Sequence, residues 1–359
     1  MAIQEFHSDR YCLHPYYGFV CTPGATIDFS DTVPAHFRHR AVAQIDGEGF
    51  RNSPRPFDRP ADEFWIGLFG GSVAFSAPAS SNDRTIAGQL ARQLAATPLD
   101  NRRVRVVDFS LPAGQQPQQL AICTLGLHNL DAAVTFDGVN EVVIPSFYNT
   151  PVLPSAFPYR PIYEVLYGQG ISDEQRAIAW LRADLITRFE KRPRWRQALT
   201  QFRHDAELER LTARLRNTSG TPGFTSMFPV AETSATVALS KGADNWQSCI
   251  QRMESLCSAN GVRTMFAIQP IPDRQKVLTN REQGYMELHP EVVALRRDGY
   301  SLILERAQAL KERNLPVVSF EDVFAARQDD IYTDLIHFED QGCGEVATRM
   351  ASWILERWR

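Results

Sequence analysis

The run Phe64-Trp65-Ile66-Gly67-Leu68-Phe69, closed by Gly70, Gly71 and Ser72, constrains this chain more than any other stretch. A short apolar run that ends in small residues reads as a buried strand entering a tight turn. An amphipathic segment follows, with Asn82 or Asp83 placed to cap it and Ile86, Leu90 and Leu94 recurring every four residues. The same unit returns. Residues 104–107 are β-branched and apolar, a Pro-Ala-Gly turn occupies 112–114, and a helix is expected over about 117–127. A third strand at 132–136 leads into Asp137, Gly138, Val139 and Asn140. Strands at 262–268 and 317–320 each follow a helical stretch, about 245–259 and 290–313. Alternating strands and helices imply a parallel sheet covered on both faces through right-handed crossovers.

The expected fold is therefore α/β, a flavodoxin-like three-layer α/β/α sandwich with a five-stranded parallel sheet and a helical insertion. Such sheets bind ligands beyond the carboxyl ends of their strands, where the Gly, Ser and Asn turns sit. Residues 1–60, rich in Pro, Gly and aromatics, read as an irregular N-terminal layer, and 61–150 with 243–359 as the core. The stretch 151–242 exceeds what a crossover needs and reads as a helical insertion over the active-site rim. Ser172 and Gln175 form a capping-box pattern, and Ile178, Leu181, Leu185 and Phe189 line one helical face. From Glu174 to Arg216 there are eleven Lys or Arg against six Asp or Glu, which suits a solvated face or an anionic partner.

Composition narrows the function. Of the 359 residues 43% are hydrophobic and 22% charged, as in ordinary globular proteins, and the net charge of −4 gives no overall attraction to nucleic acid or anionic membrane. The six cysteines (Cys12, Cys21, Cys123, Cys249, Cys257, Cys343) contain no CxxC pair, which argues against a zinc site; Cys12 and Cys21 are candidates to pair under oxidising conditions. His14, His36, His39 and His128 are scattered without metal-ligand spacing, so no metal and no cofactor is expected. Neither GxGxxG nor GxxxxGK[ST] is present. No run of about 18 apolar residues and no leader-like start occurs. As it stands the sequence reads as cytoplasmic, or as periplasmic or secreted if a signal has been removed. Oligomeric state is not legible.

Serine attacks an acyl ester only if its proton is taken, the base is oriented and the oxyanion is held by fixed donors. Each part has a candidate. Ser72 follows the first strand. Asp334 and His337, in Tyr332-Thr-Asp-Leu-Ile-His337, precede the C-terminal helix, and the carboxylate can orient the imidazole. Asn140 follows the third strand and can donate its side-chain amide to the oxyanion, with backbone amides at Ser72 and in the 112–114 turn as further donors. Each motif alone is weak: GGS is a common turn or cap, and a DxxH arises by chance in a chain of this length. Their joint placement at one end of one sheet is the stronger signal.

These residues resemble the blocks of the SGNH (GDSL-like) hydrolase superfamily from about Phe64 to the C-terminus, apart from the insertion. Gly70-Gly71-Ser72 is similar to its Gly-Asp-Ser, Gly138-Val139-Asn140-Glu141 to its Gly-x-Asn-Asp, and Asp334 through His337 to its Asp-x-x-His. Gly71 stands where the family has Asp, and the glycine of the second block falls on Ala113 or Gly114 according to register. The segments HPYYGF, GFRN, VVDFSLPAGQQPQQL and IYTDLIHF are similar to a bacterial branch associated with glycan O-acyl modification. The resemblance implies Ser72, Asp334 and His337 as catalytic residues, an oxyanion hole from Ser72, Ala113, Gly114 and Asn140, and close substrate approach at Gly71 and Gly138. The substrate would be a small or glycan acyl ester, cleaved by an esterase. The alternatives are an O-acyltransferase using the same residues, and an inactive scaffold or glycan-binding module. The aromatics Tyr159, Tyr163, Tyr167, Phe224 and Phe228 suit either packing or stacking on sugar.

Overall fold

A computed structural model describes residues 10–14, 16–51, 59–148 and 234–359, without the side chains of 13 and 146–148. The first strand of the main sheet, β5 (Glu63–Gly70), is buried along its whole length, because it is central and covered on both faces. It pairs in parallel with β6 (Arg103–Asp108) on one side and β7 (Ala132–Asp137) on the other; β8 (Arg263–Ile268) and β9 (Val317–Ser319) extend the sheet beyond β7. The spatial order β6-β5-β7-β8-β9 is 2-1-3-4-5 in core numbering, the flavodoxin-like order, and its switch point lies between β5 and β7.

Alternation along the strands sorts their side chains. Phe64, Ile66 and Leu68 of β5, with Val134 and Phe136 of β7 and Met265 and Ala267 of β8, face α1 (Ile86–Leu94) and the C-terminal helix α7 (Asp340–Arg357). There Ile86, Leu90 and Leu94 meet Val346, Met350 and Ile354, all essentially without solvent exposure. At about 1.5–3 kcal/mol for each fully buried large aliphatic side chain, this layer supplies much of the drive to fold. The opposite face carries α2 (Gln118–Gly126), α4 (Ala235–Ala259) and α6 (Pro290–Glu312), with α3 (Asn140–Tyr148) packed against both α4 and α6.

Local chemistry sets the ends of these elements. Helix α1 is capped by Thr85, whose Oγ1 accepts from Gly88 N at 3.0 Å, while the expected caps Asn82 and Asp83 form a preceding 3₁₀ turn. Helix α5 (Asn280–Leu288), absent from the sequence reading, starts with a complete capping box between Thr279 and Glu282. Helix α4 begins ten residues before the expected position.

The N-terminal layer has more regular structure than its composition suggests. Strands β1 (Tyr11–His14) and β2 (Gly18–Cys21) form one antiparallel pair, β3 (Thr26–Asp28) and β4 (Val42–Gln44) another. Cys12 and Cys21 are both free thiols: Cys12 lies opposite Val20, and its Sγ is 3.9 Å from the Cys21 carbonyl oxygen. The layer packs on the carboxyl end of the main sheet, through Phe29 against Phe75, Phe50 against Phe109, and a hydrogen bond from Gln118 Nε2 to the Tyr17 carbonyl at 2.7 Å. The expected insertion helices and the aromatics at 159–167, 224 and 228 lie outside the described residues.

Candidate active site

Ser72 stands where β5 stops. Beyond Gly70 the chain makes one α-type turn, with Phe75 N donating to Gly71 O at 2.9 Å and Ala77 N to Ser72 O at 3.1 Å, and Ser76 ends it in the left-handed region at φ +56°. Val73, Ala74 and Phe75 are buried and anchor the turn, leaving Ser72 partly exposed at its first position.

Asp334 and His337 come from the loop between β9 and α7. Asp334 Oδ1 accepts from Ile336 N at 2.7 Å and His337 N at 2.8 Å, so the carboxylate closes its own loop. Its Oδ2 lies 2.7 Å from His337 Nδ1, and His337 Nε2 lies 2.7 Å from Ser72 Oγ. Burial alone raises an aspartate, but here the imidazole and the two backbone amides outweigh it and hold Asp334 below the usual carboxylate range. Burial likewise lowers a histidine, yet the Asp334 charge outweighs it and His337 sits above its ordinary 6.5. An ionised Asp334 places the ring proton on Nδ1, which leaves Nε2 to accept from the serine hydroxyl.

The loop is held from behind by groups the sequence reading missed. Glu282, fully buried, accepts at Oε1 from Ile331 N (3.0 Å) and Tyr332 N (3.1 Å) and at Oε2 from Lys276 Nζ (2.5 Å) and Thr279 N (3.0 Å). Arg296, also fully buried, donates to the Leu335 carbonyl and to Asp273. The only sequence signal for any of this was the Thr279-x-x-Glu282 capping box.

Across the switch point, Asn140 opens α3 and its Nδ2 donates to the Gly114 carbonyl at 2.9 Å. A side chain at 71 would put its Cβ 2.1 Å from that amide nitrogen and 2.9 Å from Gly114 O, so the space a glycine leaves at 71 is filled by Asn140. In the turn after β6, Ala113 is left-handed at φ +59° and Gly114 N donates to Leu111 O at 2.8 Å. The Gly114 N–H is thereby spent. Neither the Ser72 N–H nor the Ala113 N–H has a partner among the described residues, which leaves those two and the second Asn140 amide proton as donors near Ser72. Gly138 sits among Ile268, Gln269 and Tyr300 in the packed interior, and its amide donates to Glu141 Oε2 at 2.9 Å. That bond ties Gly138 to the residue that follows Asn140.

Beneath Asn140 lies a buried polar layer. Glu141 accepts from Gln119 Nε2 at 3.4 Å, and Asp137 Oδ2 accepts from Trp246 Nε1 at 3.2 Å. Both acids are raised, chiefly by burial, and Glu141 further by the charge of Asp137. Among the described residues no group of three or more His, Cys, Asp or Glu side chains is placed to hold a metal ion, and no helix is long and apolar enough to cross a membrane.

No protein-family model matches the chain, and no curated protein matches it. Solved structures it is similar to include a lipase/acylhydrolase from Enterococcus faecalis (12% identity over 82% of this chain and 97% of that one, TM-score 0.41). Others are an acetyl xylan esterase (12%, 80% and 98%, 0.39) and a carbohydrate acetylesterase from Sinorhizobium meliloti (9%, 82% and 99%, 0.36). The strand order itself makes the chain a flavodoxin-like three-layer α/β/α sandwich, with Ser72 and Asn140 directly after the strands that flank its switch point.

Proposed function

We propose that the chain is a serine-dependent acyl-ester hydrolase acting on a small or glycan O-acyl ester. The observation that carries the reading is the continuous path Asp334 Oδ2, His337 Nδ1, His337 Nε2, Ser72 Oγ, with 2.7 Å at both links. Side chains from two loops, Ser72 and His337 being 265 residues apart in sequence, rarely fall into that order without a use for it. In this reading His337 Nε2 removes the Ser72 proton as Oγ attacks the acyl carbon. Negative charge then develops on the acyl oxygen, facing the amides of Ser72, Ala113 and Asn140. His337, now protonated and steadied by Asp334, returns its proton to the departing alkoxide, leaving an acyl-Ser72 ester. Water, deprotonated by His337, releases the acid and restores the serine.

Hydrolysis of a chromogenic acetyl ester, measured with and without candidate sugar acceptors, tests this. The reading expects release of free acetate that is lost in Ser72→Ala. Acetyl transferred to the sugar in preference to water would make the protein an acyltransferase. Equal turnover by Ser72→Ala would remove the serine mechanism altogether.

A further inference from the structure

Arg51 belongs to the Gly-Phe-Arg-Asn stretch of the N-terminal layer, which the proposed chemistry does not use. Its side chain has no solvent exposure. A guanidinium taken out of water is tolerated only where its donors are met, and Arg51 spreads them over neutral oxygens. Nε donates to Asn82 Oδ1 at 3.0 Å; Nη1 to the carbonyls of Phe75 (2.9 Å) and Ser76 (2.7 Å); Nη2 to those of Val42 (3.0 Å) and Ala79 (3.4 Å). The guanidinium carbon also lies 5.1 Å from the centre of the Phe75 ring.

Two of these acceptors matter for the site. Phe75 and Ser76 close the single turn that begins at Gly71 and Ser72; where Ser76 turns left-handed the Phe75 carbonyl has no backbone donor among the described residues, and the Ser76 carbonyl has one, Ala79 N at 2.9 Å. Arg51 caps that end of the turn. The other end presents the Ser72 hydroxyl to His337 and leaves the Ser72 N–H without a partner among the described residues. Asn82 ties the guanidinium back to β4, since its Nδ2 donates to Gln44 O at 3.0 Å and its Oδ1 accepts from Gln44 N at 3.2 Å.

We infer that Arg51 is a positioning residue for the serine site: its guanidinium fixes the turn that aims Ser72 at His337 and at the acyl oxygen, which makes the N-terminal layer part of the catalytic unit. The inference rests on Ser72 being the nucleophile. Lysine keeps the charge but has three donors on a flexible stem and cannot reproduce the planar fork, so Arg51→Lys loosens the turn without removing the cation. Displacing a reacting group by about 1 Å costs on the order of 10²-fold in rate.

The test compares second-order rates of labelling by a fluorophosphonate, normalised to the folded fraction from circular dichroism, for wild type, Arg51→Lys, Asn82→Ala and Leu94→Ala. Leu94, buried in α1 among core side chains, serves as a variant that loses stability only. The expected result is labelling slowed by about 10²-fold in Arg51→Lys, by less in Asn82→Ala, and unchanged in Leu94→Ala. The inference is overturned if folded Arg51→Lys labels at the wild-type rate, or if Leu94→Ala at a comparable stability loss is slowed as much. Should Arg51→Lys fail to fold, Asn82→Ala carries the test, and a wild-type rate there overturns the inference. A wild type that does not label at all overturns the serine reading itself.

Discussion

Replacing Gly71 with alanine turns a single methyl group into a probe of the oxyanion site. The added Cβ would lie 2.1 Å from Asn140 Nδ2 and 2.9 Å from Gly114 O, whereas ordinary van der Waals contact begins at 3.4 Å. The Asn140 amide must therefore retreat by more than about 1 Å, which breaks its 2.9 Å hydrogen bond to Gly114 O, because that carbonyl is pressed by the same methyl. Losing one oriented oxyanion donor costs about 10²–10³-fold in kcat, or roughly 2.7–4 kcal/mol in the transition state. KM should change little, since the donor meets charge that exists only as the tetrahedral intermediate forms. Steady-state kinetics on an acetyl ester measure both parameters. Asn140→Ala should give the same signature, and the double variant should be no worse than either single one, because both remove one donor. An unchanged kcat in Gly71→Ala, or fully additive losses in the pair, would refute this account of Asn140. Gly71→Asp, which brings in the residue found in the Gly-Asp-Ser block that this stretch resembles, should be at least as damaging, because the steric conflict begins at Cβ.

Further outcomes follow from the loop bearing Asp334 and His337. His337 acts as base only when neutral and its pKa is raised by Asp334, so the acid limb of kcat/KM should have its midpoint above pH 6.5, activity rising with pH. In Asp334→Asn the raising charge is gone, so that limb should move to lower pH while kcat drops by up to about 10⁴-fold through loss of tautomer control; a pH–rate profile of each protein checks both. His337→Ala should cost about as much as Ser72→Ala, with the double variant no worse, as judged by residual kcat. Glu282→Gln leaves Lys276 buried beside a neutral amide, and breaking such a pair costs about 3–5 kcal/mol. Urea denaturation should show that loss, and Lys276→Met in the same chain should recover part of it; recovery of none would mean that the Ile331 and Tyr332 amides, and not the ion pair, carry the effect.

Strands β5 and β7 could be read from the sequence because a central parallel strand is buried on both faces and appears as an unbroken apolar run. Ser72, Asn140, Asp334 and His337 stood out for a related reason: small or polar residues follow the strands where the chain turns at the carboxyl edge. Helix α4 hid its first turns, since Gly242 reads as a break, yet a Cβ there would fall 2.3 Å from the Glu141 carbonyl oxygen, so the glycine serves close helix packing. The register of the second block could not be settled from Pro112-Ala113-Gly114 alone; it depends on which amide the Leu111 carbonyl engages. Arg51 was opaque because a lone arginine is ordinarily exposed, and nothing local announces that its acceptors lie in Val42, the 75–79 turn and Asn82. Glu282 and Arg296 were hidden in the same way, since the backbone groups they hold come from a loop some fifty and forty residues away.

The central claim is that Ser72 becomes covalently acylated with His337 as its base. Mass spectrometry of the protein after reaction with a fluorophosphonate tests it most directly, followed by peptide mapping of the adduct in wild type and in His337→Ala. A single adduct on Ser72, formed quickly in wild type and hardly at all in His337→Ala, is the predicted result. An adduct on any other residue, or equal labelling of Ser72 without His337, would contradict it.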